Sequence, residues 1–237
     1  MATYRIERAS DPQDLARRAS ELIAAQISLA LDQRDRCQIA LSGGTTPARA
    51  YTLLGQERLP WDRVDVFLGD ERWVAADDES SNARMLRNTL LAEEPGSRAT
   101  FHAVPTVELA NADASAEAFG ALVSSLCPGE PPIFDVMLLG LGDDGHTASL
   151  FPGTEAPTIN DRWSTVGRGK GLDRITLTAP VLSASRQVIF LVSGAGKQDA
   201  LNRLIDPDES PERTPAKLVQ PASEVVILAD QNAAPAP

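Results

Sequence analysis

The chain has 237 residues, 22 Lys plus Arg against 33 Asp plus Glu, a formal net charge of −11, and only 2 His and 2 Cys. A composition of 43% hydrophobic and 23% charged residues excludes a disordered or fibrous protein, and the acidic balance argues against nucleic acid or a membrane surface as partner, because its field repels phosphate backbones. Two cysteines make no disulfide framework and fit a reducing cytoplasm. The N-terminal residues show no signal-peptide apolar region, and no apolar run reaches the ~18 residues that span a bilayer.

Residues 4–8 read as a short edge strand. Asp11 and Pro12 open a helix as N-cap and first-turn residue, and Leu15, Ala19, Leu22, Ile23, Ala30 and Leu31 follow at helical spacing. Residues 37–41 form a buried strand, followed by a glycine turn at 42–47 and a helix to about Leu54; Thr46 is the expected cap and Pro47 the expected first helical residue. Residues 64–68 are the next strand, and a helix from about Ser81 carries Met85, Leu86, Leu90 and Leu91. Residues 110–126 read as helix, stopped by the Pro-rich segment 127–132.

The most apolar run, 133–139, is predicted as a central strand. Residues 152–173, rich in Gly, Pro and polar side chains, read as loop. Strands at 175–178 and 188–192, a helix at 195–205 and a last strand at 224–228 complete the pattern, with 231–237 as a flexible tail. Strands apolar on both faces, alternating with helices, predict an α/β fold with a Rossmann-like open, mainly parallel sheet and helices on both faces. No repeat or linker divides the chain, so residues 1–237 are taken as one domain.

Four polar clusters, at 42–47, 69–72, 140–146 and 193–197, each follow an apolar strand directly. In an open parallel sheet the strand C-termini share one edge, and ligands bind there. The clusters are therefore expected to converge. Gly43 and Gly44 allow a tight turn into a helix N-terminus whose free N–H groups suit phosphate, although no Walker lysine follows. Residues 140–145 match a dinucleotide fingerprint in letters only, since Asp143 and Asp144 place negative charge where a pyrophosphate would lie and residues 151–153 cut off the helix. The alternative is His146 as a base with its tautomer fixed by Asp144; the plainer reading makes Asp144 a helix cap and His146 a surface residue. His102 lies outside the clusters. Asp70 and Glu71 either do acid–base work or pair with Arg72. Lysine occurs only at 170, 197 and 217, so Lys197 at a strand-to-helix turn is a candidate phosphate partner.

The segments Leu41-Ser-Gly-Gly-Thr-Thr-Pro47, Gly69-Asp-Glu-Arg-Trp-Val74, Leu138-Leu-Gly-Leu-Gly-Asp-Asp-Gly-His-Thr-Ala-Ser-Leu-Phe-Pro-Gly153, Arg174-Ile-Thr-Leu-Thr178 and Val192-Ser-Gly-Ala-Gly-Lys197 resemble the 6-phosphogluconolactonase family, in order and over roughly residues 5 to 230. That family shares a superfamily with glucosamine-6-phosphate deaminases and isomerases. The resemblance implies hydrolysis of 6-phosphoglucono-1,5-lactone in the oxidative pentose phosphate pathway, without metal or organic cofactor. It implies His146 as catalytic base, with Asp144 or Asp70 orienting it or the substrate. Gly43, Gly44 and Thr45 would cradle the 6-phosphate with Arg72 and Lys197 nearby, and backbone amides of 142–145 are candidate oxyanion donors.

Two departures bear on this expectation. Where many members carry a Ser-Pro-Lys-Pro-Pro-like segment, this chain has Gly167-Arg-Gly-Lys-Gly-Leu-Asp173, leaving Arg168 or Lys170 as the replacement cation. The deaminase relatives carry a carboxylate a few residues after the His, whereas here no acid follows His146 until Glu155. The expected partner is thus a small phosphorylated sugar lactone bound by a monomer or weak homodimer; the alternatives are a sugar-phosphate isomerase or deaminase and a non-catalytic sugar-phosphate-binding protein.

Overall fold

The fold, given by a computed structural model, is described over residues 2–234. In chain order the first half runs β1 (Tyr4–Ala9), α1 (Pro12–Gln33), β2 (Cys37–Leu41), α2 (Thr45–Leu54), β3 (Val64–Leu68), β4 (Asp70–Arg72), α3 (Asn82–Arg87), β5 (Thr100–Phe101) and α4 (Ala112–Leu126). The second half runs β6 (Val136–Gly140), β7 (Ser164–Gly169), β8 (Leu172–Leu177), α5 (Ala179–Ala184), β9 (Gln187–Val192), α6 (Gln198–Ile205) and β10 (Val225–Asp230).

Seven strands form one parallel sheet in the order β1-β10-β9-β6-β2-β3-β5. Every residue of β2, β3 and β10 is buried, as strands covered on both faces must be. Helix α1 starts where Asp11 accepts hydrogen bonds from the Gln13 and Asp14 amides, and it buries Leu15, Ala19, Ile23, Ile27 and Ala30. From β2 the chain runs outward through β3 to β5, then returns to β6 on the other side of β2. The C-terminal ends of β2 and β6 therefore flank the point where the strand order reverses, the place where open α/β sheets leave a crevice. Among the described residues no helix is long and apolar enough to cross a membrane.

The expected loop at 152–173 is in part a strand. β7 and β8 form an antiparallel hairpin, and β8 pairs with β4 in a second sheet of order β4-β8-β7 above the strand ends. Lys170 and Gly171, both at positive φ (55° and 80°), make its two-residue turn, the geometry that suits the twist of a hairpin. Gly167 and Gly169 hide the strand in the sequence, and their reason is contact: a Cβ would stand 2.4 Å from the Ser149 carbonyl oxygen at Gly167 and 2.5 Å from the Phe151 ring at Gly169.

Two further differences are local. α2 begins at Thr45 with Gly44 at the cap, so Thr46 is not the cap and Pro47 sits in the third position. Of the expected tail, residues 231–234 fold back as a turn with Ala233 and Ala234 buried, while 235–237 lie outside the described residues.

Candidate active site

A cavity of about 160 Å³ opens at the C-terminal ends of β2, β6 and β9. It collects residues from all four polar clusters: Ser42 and Gly43, Asp70 and Arg72, Gly140 to Gly142 with His146, and Lys197. Two wider surface grooves, at the start of α1 and between α4 and β7, draw on none of these clusters. Convergent chemistry, rather than size, marks the site.

His146 is held on two sides. Its ring Nδ1 lies 2.5 Å from Asp144 Oδ1, and its backbone N–H donates to the same oxygen at 3.1 Å. The ring leans on Phe151 with centroids 4.6 Å apart. With Nδ1–H given to Asp144, Nε2 is left as the acceptor. Burial pulls the imidazole pKa below its ordinary value, against the opposing pull of Asp144, and the positive charge of Lys170 pushes the same way as burial. The Asp144 carboxyl stays below its usual range through its bonds to His146, despite its own partial burial. The pair is therefore a neutral imidazole beside a carboxylate.

No helix follows His146. Residues 147–150 close a tight bridge, with Thr147 Oγ1 donating to the Gly140 carbonyl at 2.8 Å and Ala148 at φ 47°. The loop before it spends its own amides: Gly142 N–H donates to the His146 carbonyl at 2.8 Å, and Gly145 N–H to the Gly142 carbonyl at 3.0 Å. These two amides are consequently not free oxyanion donors, which corrects part of the sequence expectation.

β4 separates its two acids by strand alternation. Asp70 turns towards the cavity, accepts from Ser149 Oγ at 2.5 Å and faces Arg174 Nη1 at 3.9 Å. Glu71 turns the other way and is 1% exposed. It accepts from the backbone N–H groups of Arg72, Asn82 and Ala83 at 2.7–2.8 Å and from Ser81 Oγ at 3.2 Å. Burial raises its pKa against these bonds. Neither acid pairs with Arg72; Glu71 ties the start of α3 to β4 instead. Asn82, so fixed, donates to the Asp70 carbonyl at 2.8 Å and accepts from the Arg72 guanidinium, which also donates to the Ser80 carbonyl at 2.8 Å.

The glycine turn adjoins this group. A Cβ on Gly43 would fall 1.9 Å from Asn82 Oδ1, so only glycine fits there. Gly44 takes φ 117°, and no side chain caps α2, which leaves first-turn N–H groups for a ligand. Gly44 and Thr45 are exposed beside the cavity rather than in its wall.

Asn82 and Arg174, which lie outside the four clusters, also line the wall. Ser42 Oγ and Arg174 Nε are both buried without a hydrogen-bond partner among the described residues. Arg174 holds its guanidinium over the Phe151 ring, 5.4 Å from the centroid, and His146 leans on the same ring, so the two cavity residues share one neighbour. Only the place of Arg174 in the Arg-Ile-Thr-Leu-Thr segment signalled it. The two replacement cations do not reach the wall. Arg168 is half exposed beside Asp113 and Asp173, at 3.6 and 3.8 Å, and Lys170 leans on Asp143 at 3.7 Å. His102 is far from the cavity, bonding Asp65 at 2.9 Å and stacked on Phe67.

The fold and cavity define an α/β protein that carries a His–Asp pair and a set of cations at the switch point of its sheet. The chain belongs to the glucosamine-6-phosphate isomerase/6-phosphogluconolactonase family, whose sequence model matches residues 10–228. It is 42% identical to a 6-phosphogluconolactonase of Synechocystis sp. over 93% of each chain, and 41% identical to one of Nostoc sp. over 96% of each. The structure is similar to that of 6-phosphogluconolactonase from Trypanosoma brucei, with a TM-score of 0.87, 30% identity, and coverage of 99% of this chain and 98% of that one.

Proposed function

We propose that this chain hydrolyses 6-phosphoglucono-1,5-lactone to 6-phosphogluconate, with His146 as general base. The observation that carries the reading is the neutral His146, backed by Asp144, in the same small cavity as Arg72, Arg174 and Lys197. A lactone is an activated ester, so it needs a placed water and a proton for the leaving oxygen. His146 Nε2 takes the proton of the water that attacks C1, and the imidazolium returns it to the departing ring oxygen. Asp144 holds the tautomer. Asp70 accepts from Ser149 and faces Arg174, and so fixes both. Arg174, with its unpartnered Nε and its guanidinium over the ring that His146 leans on, is the donor we assign to the developing oxyanion.

We assign the 6-phosphate to Gly43, Arg72 and Lys197 in the cavity wall and to the uncapped start of α2 beside it. Thr45 and Gly44 flank it. These groups supply position rather than chemistry. Glu155, the first acid after His146, is exposed, which leaves no carboxylate of the deaminase type next to the imidazole. The buried free thiols of Cys37 and Cys127 fit a reducing cytoplasm.

The test follows acid release from freshly generated 6-phosphogluconolactone above its spontaneous rate. The wild type is expected to accelerate it strongly and to prefer it over gluconolactone; no acceleration, or ammonia release from glucosamine 6-phosphate instead, overturns the reading. In the same assay Lys197→Ala and Arg72→Ala are expected to raise KM for the phosphorylated lactone by about tenfold or more, the scale of one lost charge-assisted contact. The loss on gluconolactone should be much smaller. Equal losses on both would contradict the phosphate assignment.

A further inference from the structure

We propose that Asp230, the last residue of β10, is a positioning residue that holds Lys197 in the cavity. The proposal rests on the reading that Lys197 binds the substrate phosphate.

Asp230 is 1% exposed and lies in no catalytic contact. Its carboxylate gathers donors only. Ser193 Oγ donates to Oδ2 at 2.5 Å, the Gly194 amide bridges both oxygens at 3.1 Å, and the Ala233 amide donates to Oδ1 at 2.8 Å. These bonds hold its pKa below the usual carboxylate range in spite of burial, so the group is ionised at neutral pH. These donors offset the cost of burying the charge, so the carboxylate holds the groups it binds firmly.

What the bonds hold is the turn that carries Lys197. Gly194 takes φ 94°, and the Lys197 amide donates back to the Gly194 carbonyl at 3.0 Å. Packing does not fix this turn. A Cβ at Gly194 or Gly196 would meet nothing within 4 Å, and Ala195 and Gly196 are exposed. The Lys197 side chain makes no hydrogen bond or ion pair among the described residues, yet it lines the cavity. Its place is thus set by its backbone, and its backbone is tied down by Asp230.

The same carboxylate anchors the C-terminal turn. The Ala233 amide closes that turn on Asp230, and Gln198 Nε2, one residue past Lys197, donates to the Asn232 carbonyl at 2.7 Å. Two segments far apart in sequence are therefore clamped on either side of Lys197. A carboxamide at 230 would offer one acceptor oxygen where two are used, and would point an N–H group at a donor.

The experiment measures Asp230→Asn on both lactones, alone and in the Lys197→Ala background. The expected result is a rise in KM for 6-phosphogluconolactone of about tenfold, the scale of one displaced charge contact, with kcat held within about twofold. Hydrolysis of gluconolactone should stay within about twofold. In the Lys197→Ala background, Asp230→Asn should leave the ratio of kcat/KM for the two lactones unchanged, because the residue it acts through is gone. Equal losses on both lactones, or a further change of that ratio without Lys197, overturns the proposal.

Ser193→Ala removes one donor and leaves the charge satisfied by backbone, so it keeps the test open if Asp230→Asn does not fold. It should shift the ratio in the same direction by about twofold to threefold; no shift overturns the proposal. A wild type that does not prefer the phosphorylated lactone fails the functional reading itself, before any variant is compared.

Discussion

Replacing His146 with Ala should lower kcat on 6-phosphogluconolactone by about a hundredfold to ten-thousandfold, the range a positioned general base supplies. No other group in the cavity can take its place. Asp70 is engaged by Ser149 Oγ and faces Arg174, Asp144 has its oxygen committed to His146, and Arg72, Arg174 and Lys197 are cations. KM should change little, since Arg72, Lys197 and the start of α2 are untouched. The check is initial-rate acid release, corrected for the spontaneous reaction, with His146→Gln beside His146→Ala to keep the side-chain volume. Activity within about threefold of wild type would place the base elsewhere.

Gly142→Ala should be nearly as damaging, although position 142 has no side chain to contribute. A Cβ there would stand 2.0 Å from His146 Nδ1, 2.3 Å from its Cε1 and 2.6 Å from Asp144 Oδ1. Gly142 is not among the positive-φ residues, and the three atoms nearest the added Cβ all belong to the His–Asp pair, so the cost falls there first. The ring must move by more than an ångström or lose its partner. A misplacement of that size costs roughly a hundredfold in rate. Gly69→Ala, whose Cβ would meet nothing nearer than 3.9 Å, should stay within about twofold. Comparing kcat and thermal midpoint for both variants checks this. A Gly142→Ala enzyme with normal kcat would show that the His146 ring is free to shift without loss.

Much of this site is legible in the sequence, for a simple reason. A parallel sheet buried on both faces writes its strands as short apolar runs, and the polar residues that follow each run must sit at one edge. That logic brings residues 42–47, 69–72, 140–146 and 193–197 together before any contact is known. The β7–β8 hairpin is not legible in the same way. Its glycines are there because Ser149 and Phe151 press against the strand, and its turn has Lys170 where a small polar residue is usual. With the hairpin unseen, Arg174 reads as an ordinary strand residue and Arg168 as a site cation. Strand register decides otherwise: Arg168 lies opposite Asp173 and Arg174 opposite Arg72. Asn82 escapes notice, and Glu71 reads as an acid–base or ion-pairing group, for a related reason. A helix start and a buried acid reveal their work only through the backbone they bind.

The pH dependence of kcat/KM on 6-phosphogluconolactone reports whether His146 acts as a neutral base. The imidazolium cannot accept a proton, so activity must rise as pH climbs through the His146 pKa and then level off. Burial holds that pKa below the ordinary imidazole value of about 6.5. The expected result is an acid limb with its midpoint below that value, present in the wild type and absent from the residual activity of His146→Ala. A midpoint at or above the ordinary value, or the same limb in His146→Ala, would contradict a neutral His146 acting as the base.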